Sequence, residues 1–219
     1  MSWFDESPIN QDVMKESEKS EFGAIESQMA KAEIQNAYLV DSESSDAKAL
    51  MVTVKLESGR LHTESLWFKS GTGSTTYEDK KSGKKRYLPS FVSMGYLFNA
   101  CELDMNAEQP VTKTVKHFGK DIQAGVFEKM LGKRIEVGIR ETLVDDYNDP
   151  YTSKSDNEIS YYGNTEGKSG KEIRDNSEPK ERASWLNMIA KKPVKDARKQ
   201  SKGDKPAPTE SSHEAVGGW

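Results

Sequence analysis

Ala47-Lys48-Ala49-Leu50-Met51-Val52-Thr53-Val54-Lys55-Leu56-Glu57 is the most regular stretch of the chain. Leu50, Val52, Val54 and Leu56 alternate with Met51, Thr53, Lys55 and Glu57. A repeat of two belongs to a strand, whose successive side chains point to opposite faces. One row is expected in a core and the other outside. Upstream, residues 34–40 alternate less cleanly through Ile34, Asn36, Tyr38 and Val40, and the polar run 41–46 makes a turn between the two strands. Downstream, Ser58-Gly59-Arg60 is a tight-turn signal leading into residues 61–69. Three consecutive strands make an antiparallel meander.

Beyond the meander, residues 71–87 centre on Lys81-Ser82-Gly83-Lys84, which reads as the tip of a hairpin. Leu88-Pro89 follows, with Pro suited to a first helical position, and Phe91, Met94, Phe98 and Cys101 recur at spacings of three and four. A buried helix of about four turns fits. A second, shorter helical piece fits residues 122–131, ended by Gly132. Residues 134–144 alternate again, with Ile135, Val137 and Ile139 on one face and Glu136, Gly138 and Arg140 on the other. The acidic, turn-rich residues 145–157 then lead into a short strand over 158–162. The order strand, strand, strand, helix, strand, strand is that of a mainly β, five-stranded OB-like Greek-key barrel with its helix between strands three and four. Past Ile173 the pattern fades, although Trp185, Leu186 and Ile189 fit one or two helical turns before Pro193.

The composition bounds the rest. Apolar residues are 34% of the 219, and the 16 Gly raise this to about 41%, below the roughly 45–50% of globular chains. Part of the sequence is therefore expected to stay outside any core. No apolar run approaches the roughly 18 residues of a bilayer span, so no membrane role is expected. The start Met1-Ser2-Trp3-Phe4-Asp5-Glu6 lacks the features of a signal peptide, and the single Cys101 can form no intramolecular disulfide. A reducing, cytoplasmic compartment is expected. The net charge of −4 is unevenly spread: residues 1–30 carry −5, 31–103 carry +1, 104–175 carry −3, 176–203 carry +5 and 204–219 carry −2. An acidic pI near 5.6 argues against nonspecific duplex binding, but a single-strand groove needs only a local basic stripe with aromatic rings.

Three stretches invite a chemical reading. Gly163-Asn164-Thr165-Glu166-Gly167-Lys168-Ser169 resembles a phosphate loop but has three residues between its glycines where that loop needs four. A Gly-rich turn after a strand is the better reading. Asp145, Asp146, Asp149 and Asp156 could hold a magnesium ion, yet they sit in one polar loop without a calcium-loop pattern. His62, His117 and His213 are scattered, and one Cys gives no zinc-ligand spacing. No metal, no cofactor and no catalysis are expected. In residues 67–87, by contrast, Lys69, Lys80, Lys81, Lys84, Lys85 and Arg86 are interleaved with Trp67, Phe68, Tyr77 and Tyr87. Rings to stack on bases and cations to neutralise phosphates are what an unpaired strand requires. Singly, each of these residues could equally serve the core or solubility: Trp67 or Phe68 could face inward, and the lysines could merely solubilise a hairpin.

The runs Trp67-Phe68-Lys69-Ser70-Gly71, Thr76-Tyr77-Glu78-Asp79-Lys80, Gly83-Lys84-Lys85-Arg86-Tyr87-Leu88-Pro89-Ser90-Phe91 and Leu131-Gly132-Lys133-Arg134-Ile135-Glu136-Val137 resemble single-stranded DNA-binding proteins of tailed bacteriophages. The resemblance implies an OB-fold protein that coats transient single strands without sequence preference during phage replication, recombination and repair, in the cytoplasm of the bacterial host. It divides the chain into an acidic, flexible N-terminal arm (1–23), the DNA-binding domain (24–175), a basic segment with a short helix (176–203) and a flexible C-terminal tail (204–219). Such proteins often end in an acidic tail with a terminal aromatic that docks on replication proteins. Asp204, Glu210, Glu214 and Trp219 are similar, though weakly acidic, and an undistinguished terminus is the alternative. The DNA contacts expected are Lys69, Tyr77, Lys84, Lys85, Arg86 and Arg140, with Trp67 and Tyr147 beside them. Two other functions stay open: an OB-fold protein-interaction adaptor or recombination mediator, and a metal-dependent nucleotide hydrolase or nuclease built on residues 163–169 or Asp145. A homo-oligomer is compatible with the sequence.

Overall fold

The structure, a computed structural model, describes residues 24–146 and 153–198. The acidic arm 1–23, Tyr147, the tail 204–219 and with it Trp219 lie outside the described residues. The first half of the described chain forms β1 (Gln28–Asp41), β2 (Lys48–Leu56), β3 (Leu61–Lys69), β4 (Thr76–Glu78), β5 (Lys85–Tyr87) and α1 (Pro89–Ala100). The second half forms β6 (Val111–His117), β7 (Lys120–Val126), β8 (Arg134–Asp145), β9 (Ser153–Gly163), α2 (Gly170–Asp175), α3 (Glu181–Lys191) and β10 (Lys195–Asp196). The protein is mainly β, and apart from the parallel pair β8–β10 its ladders are antiparallel.

The expected meander β1–β2–β3 is present. β1 is longer than residues 34–40 because it serves two partners along its second edge: Gln28–Glu33 pair with β8, and Tyr38 pairs with Val126 of β7. A bulge lies between Ile34, opposite Val54, and Asn36, opposite Thr53. One extra residue exchanges the faces of a strand. Ala32 and Ile34 before it, and Ala37 after it, enter the main core, while Tyr38 and Val40 turn to the other side.

That exchange overturns one expectation for β2. Leu50, Val52, Val54 and Leu56 fill the main core as read, but the outward row is not solvated throughout, because Ala49 and Met51 are buried in a second cluster with Tyr38, Val40, Ala124 and Val126. The cover is the β6–β7 arm. Residues 122–131 are thus not a helix. Ile122, Ala124 and Val126 alternate on β7 and pack with Val115 on the outer face of β1 and β2, and only Glu128–Met130 make a single 3-10 turn.

The expected helix is α1, with Pro89 in its first turn and Met94, Leu97, Phe98 and Ala100 buried. Burial pushes the Cys101 thiol, just past its end, up to about 12. Paired neighbours run β3-β2-β1-β8-β9. No ladder joins β3 to β9. Instead the Ile159 amide of β9 donates to Glu64 Oε2 of β3 at 2.9 Å, and α1 packs against both strands. The sheet is therefore curled but not a closed barrel, and the described residues hold ten strands rather than five.

The basic segment docks on this body. Outward residues Glu136, Gly138 and Arg140 of β8 meet α3 in turn. Arg182 grips Glu136 through Nε and Nη2 at 2.8–3.0 Å. The Trp185 ring covers Gly138, where a Cβ would fall 2.6 Å from a ring carbon, and its indole donates to Ser160 Oγ at 2.9 Å. Glu172 holds the corner between α2 and α3. It completes a capping box with Ser169 and also accepts from the Lys180 and Glu181 amides. Burial alone would raise its pKa, but these amide donors outweigh it and hold the carboxyl below its ordinary value of 4.5. A depressed folded pKa contributes stability that is complete above the unfolded value and lost as pH falls through the folded one. Glu172→Gln should therefore lower the denaturant midpoint at neutral pH by roughly 1.5–3 kcal/mol of stability, with the deficit shrinking on acidification below pH 4.5; a deficit independent of pH would exclude the ionised form.

Candidate nucleic-acid interface

The β4–β5 hairpin is built around Asp79. Its amide donates to the Lys84 carbonyl at 2.9 Å, and its own carbonyl accepts from Gly83, which turns the chain at φ +63. One carboxylate oxygen accepts from the Lys81 amide at 2.9 Å and the other pairs with Arg86 Nε at 2.9 Å. The Lys81 amide holds the Asp79 carboxyl below the usual carboxylate range. In the ladder Tyr77 opposes Arg86 and Thr76 opposes Tyr87, and directly opposed residues share a face. Tyr77 and Arg86 thus lie on one face, Lys85 and Tyr87 on the other. The Tyr87 ring stacks on Phe91 of α1, with centroids 5.0 Å apart and planes at 18°. This contact ties the hairpin to the body.

Trp67 and Phe68 part company on β3. Phe68 packs against the main core, whereas Trp67, opposite Ala49, stands on the outer row with Thr63 and Ser65. Trp67 is 44% exposed and Tyr77 42%. Lys69 ends β3 and lines a shallow depression with Asp41, Asp46 and Lys48, where Lys48 already pairs with Asp41 at 2.8 Å. Lys69, Lys80, Lys81, Lys84 and Lys85 make no ion pair with a described residue, while Arg86 is engaged by Asp79. Six of the expected contacts, Trp67, Lys69, Tyr77, Lys84, Lys85 and Arg86, therefore fall on β3 and the β4–β5 hairpin, with four of them in or next to the β4–β5 ladder.

Arg140 lies elsewhere. β1 and β2 separate its strand from β3 in the ladder order, and its guanidinium sits under α3, with Nη2 donating to the Lys192 carbonyl at 3.2 Å and Nη1 3.8 Å from Met188 Sδ. It caps the end of a helix. Residues 163–169 form a turn whose amides are used internally: Asn164 Oδ1 accepts from Glu166 and Lys168 at 3.1 and 3.0 Å. A short helix, α2, does follow this turn, with Ser169 as its N-cap. Among the described residues no three His, Cys, Asp or Glu side chains converge on a point that could hold a metal ion, and no helix is long and apolar enough to cross a membrane.

One exposed aromatic escaped the sequence reading. Phe118, at the tip of the β6–β7 arm, is 86% exposed. Its signal was Lys116-His117-Phe118-Gly119-Lys120, a ring among bases at a glycine turn. Residues 111–114 of β6 are all exposed, so no alternation marks the strand that leads to it.

Because Lys84 and Lys85 make no ion pair with a described residue, replacing both with Ala should leave the melting temperature within the range of ordinary surface changes, about 0.5 kcal/mol each way. A calorimetric scan checks this, and a large loss would give these lysines a structural role. No protein-family model matches the chain, and no curated protein matches it.

Proposed function

We propose that this protein is a noncatalytic, sequence-independent binder of single-stranded DNA on an OB-like barrel, serving phage replication, recombination and repair in the host cytoplasm. The observation that carries the proposal is the occurrence of two exposed rings, Trp67 and Tyr77, together with lysines that make no ion pair with a described residue, on β3 and the hairpin that follows it. An unpaired lysine keeps its full charge for a phosphate. An exposed ring beside it offers a flat apolar surface to a base, and stacking tolerates any sequence because every base has a π-face. Binding proceeds by electrostatic capture and then by stacking. The fold supports this reading through its strand order β3-β2-β1-β8-β9, with α1 between the third and fourth of these strands in the chain, setting aside β4–β5 and the β6–β7 arm as insertions. A five-stranded, partly open barrel of that order is the OB type, whose second and third strands face nucleic acid.

Salt titration of oligo-dT binding tests the mechanism. Each phosphate neutralised contributes about 0.7 to the slope of log K against log salt for single strands, so removing the charges of Lys84, Lys85 and Arg86 together should flatten the slope by up to about 2 and weaken binding. An unchanged slope would take the hairpin out of the interface. Tyr77→Ala should cost on the order of 1–3 kcal/mol of binding with the slope retained; unchanged affinity would place that ring off the strand.

A further inference from the structure

The β6–β7 arm ends in a two-residue turn, Phe118-Gly119, closed by the pair His117–Lys120. Both turn residues have positive φ, +46 and +80, the signs of a type I′ hairpin turn, where Asn-Gly is the favoured pair. A bulky side chain at positive φ is a true outlier. Phe118 tolerates it while 86% exposed, so burial offsets none of the cost. Strain kept at an exposed position points to a use for the side chain.

The position of the tip is defined. The Tyr38 hydroxyl and His117 Nδ1 are 3.2 Å apart, their rings meet edge to face at 6.0 Å, and the His117 and Phe118 rings lie 4.4 Å apart. Tyr38 opposes Met51 of β2, and Met51 opposes Ser65 of β3. The tip therefore stands at Tyr38 on the outer face, and in register with Tyr38 lie Met51 and Ser65, with Trp67 two residues further along the outer row of β3. Lys116 and Lys120 lie two residues either side of Phe118 in the chain, on opposite faces of the ladder; Lys116 meets Asp121 at 3.1 Å, both largely exposed, and Lys120 has no ion pair with a described residue.

We propose that Phe118 is a second stacking platform for the same unpaired strand, presented at the tip of the β6–β7 arm, with Lys116 and Lys120 meeting the flanking phosphates. The inference rests on the single-strand reading and adds a residue to it: besides Trp67 and Tyr77, the ring at the tip of the arm offers a third surface to a base. The occupant follows from charge and shape, since an exposed ring with lysines close to it in the chain suits a base and its phosphates better than an apolar partner surface.

Phe118→Asn separates this role from a structural one, because Asn adopts the left-handed backbone at lower cost than Phe. The variant should melt at or above the wild-type temperature, bind oligo-dT roughly 5- to 150-fold more weakly and keep the wild-type salt slope. Phe118→Trp should retain affinity, and an oligo-dT carrying 5-iodouracil should cross-link at Phe118. Wild-type affinity in Phe118→Asn, with Tyr77→Ala still impaired, would overturn the stacking role of Phe118 and leave the single-strand reading standing. A fall in melting temperature that accompanies the lost affinity would also overturn it, by making the ring structural. Absence of any oligo-dT binding by the unmodified protein would overturn both.

Discussion

β1 has hydrogen-bonded neighbours along both edges and apolar partners on both faces, and one strand meets all four demands only by bending. The bulge between Ile34 and Asn36 supplies the bend. Before it, the strand shares its second edge with β8; after it, that edge is released to β7 and its outward side chains become Tyr38 and Val40. The two apolar clusters follow from this single irregularity. The inner one is the main core under the curled sheet, and the outer one seats the β6–β7 arm. With the arm over β1 and β2, and α3 over β8, the outer row of β3 is left open, and there Trp67 stands.

Charge acts on a shorter scale than the whole molecule. The chain carries −4 overall, but at physiological salt exposed charges are screened beyond about 8 Å, so any anion at the hairpin would sense Lys80, Lys81, Lys84 and Lys85 before distant acids. Asp79 shows how the hairpin keeps its shape without giving up that charge. One carboxylate closes the turn and holds Arg86, and the lysines around it make no ion pair with a described residue.

What could be read in the sequence was what a strand or helix writes with its own period. Leu50, Val52, Val54 and Leu56 announced β2, Ile135, Val137 and Ile139 announced β8, and Phe91, Met94 and Phe98 announced α1. Elements whose meaning depends on a distant partner were illegible. Ile122, Ala124 and Val126 run on into Phe127, Met130 and Leu131, whose spacing imitates a helix, and only the outer face of β1 and β2 makes them a strand. Arg140 had the chemistry of a phosphate ligand, but the helix it caps begins forty residues later in the chain. The extra residue in β1 left no trace either, because a bulge is a matter of register between two strands. Of the site, the dense mixture of bases and rings in residues 67–87 was visible, and the outward turn of Trp67 against the inward turn of Phe68 was not.

The central claim is that an unpaired polynucleotide, held by its phosphates and its flat bases, is the ligand of this surface. Competition between a fluorescent oligo-dT and a duplex of equal length, followed by anisotropy from dilute buffer to physiological salt, tests it most directly. The account predicts tight retention of the single strand, displacement by unlabelled single strand and not by duplex, and affinity that falls as salt rises. Equal competition by the duplex, or no retention of oligo-dT even in dilute buffer, would contradict it.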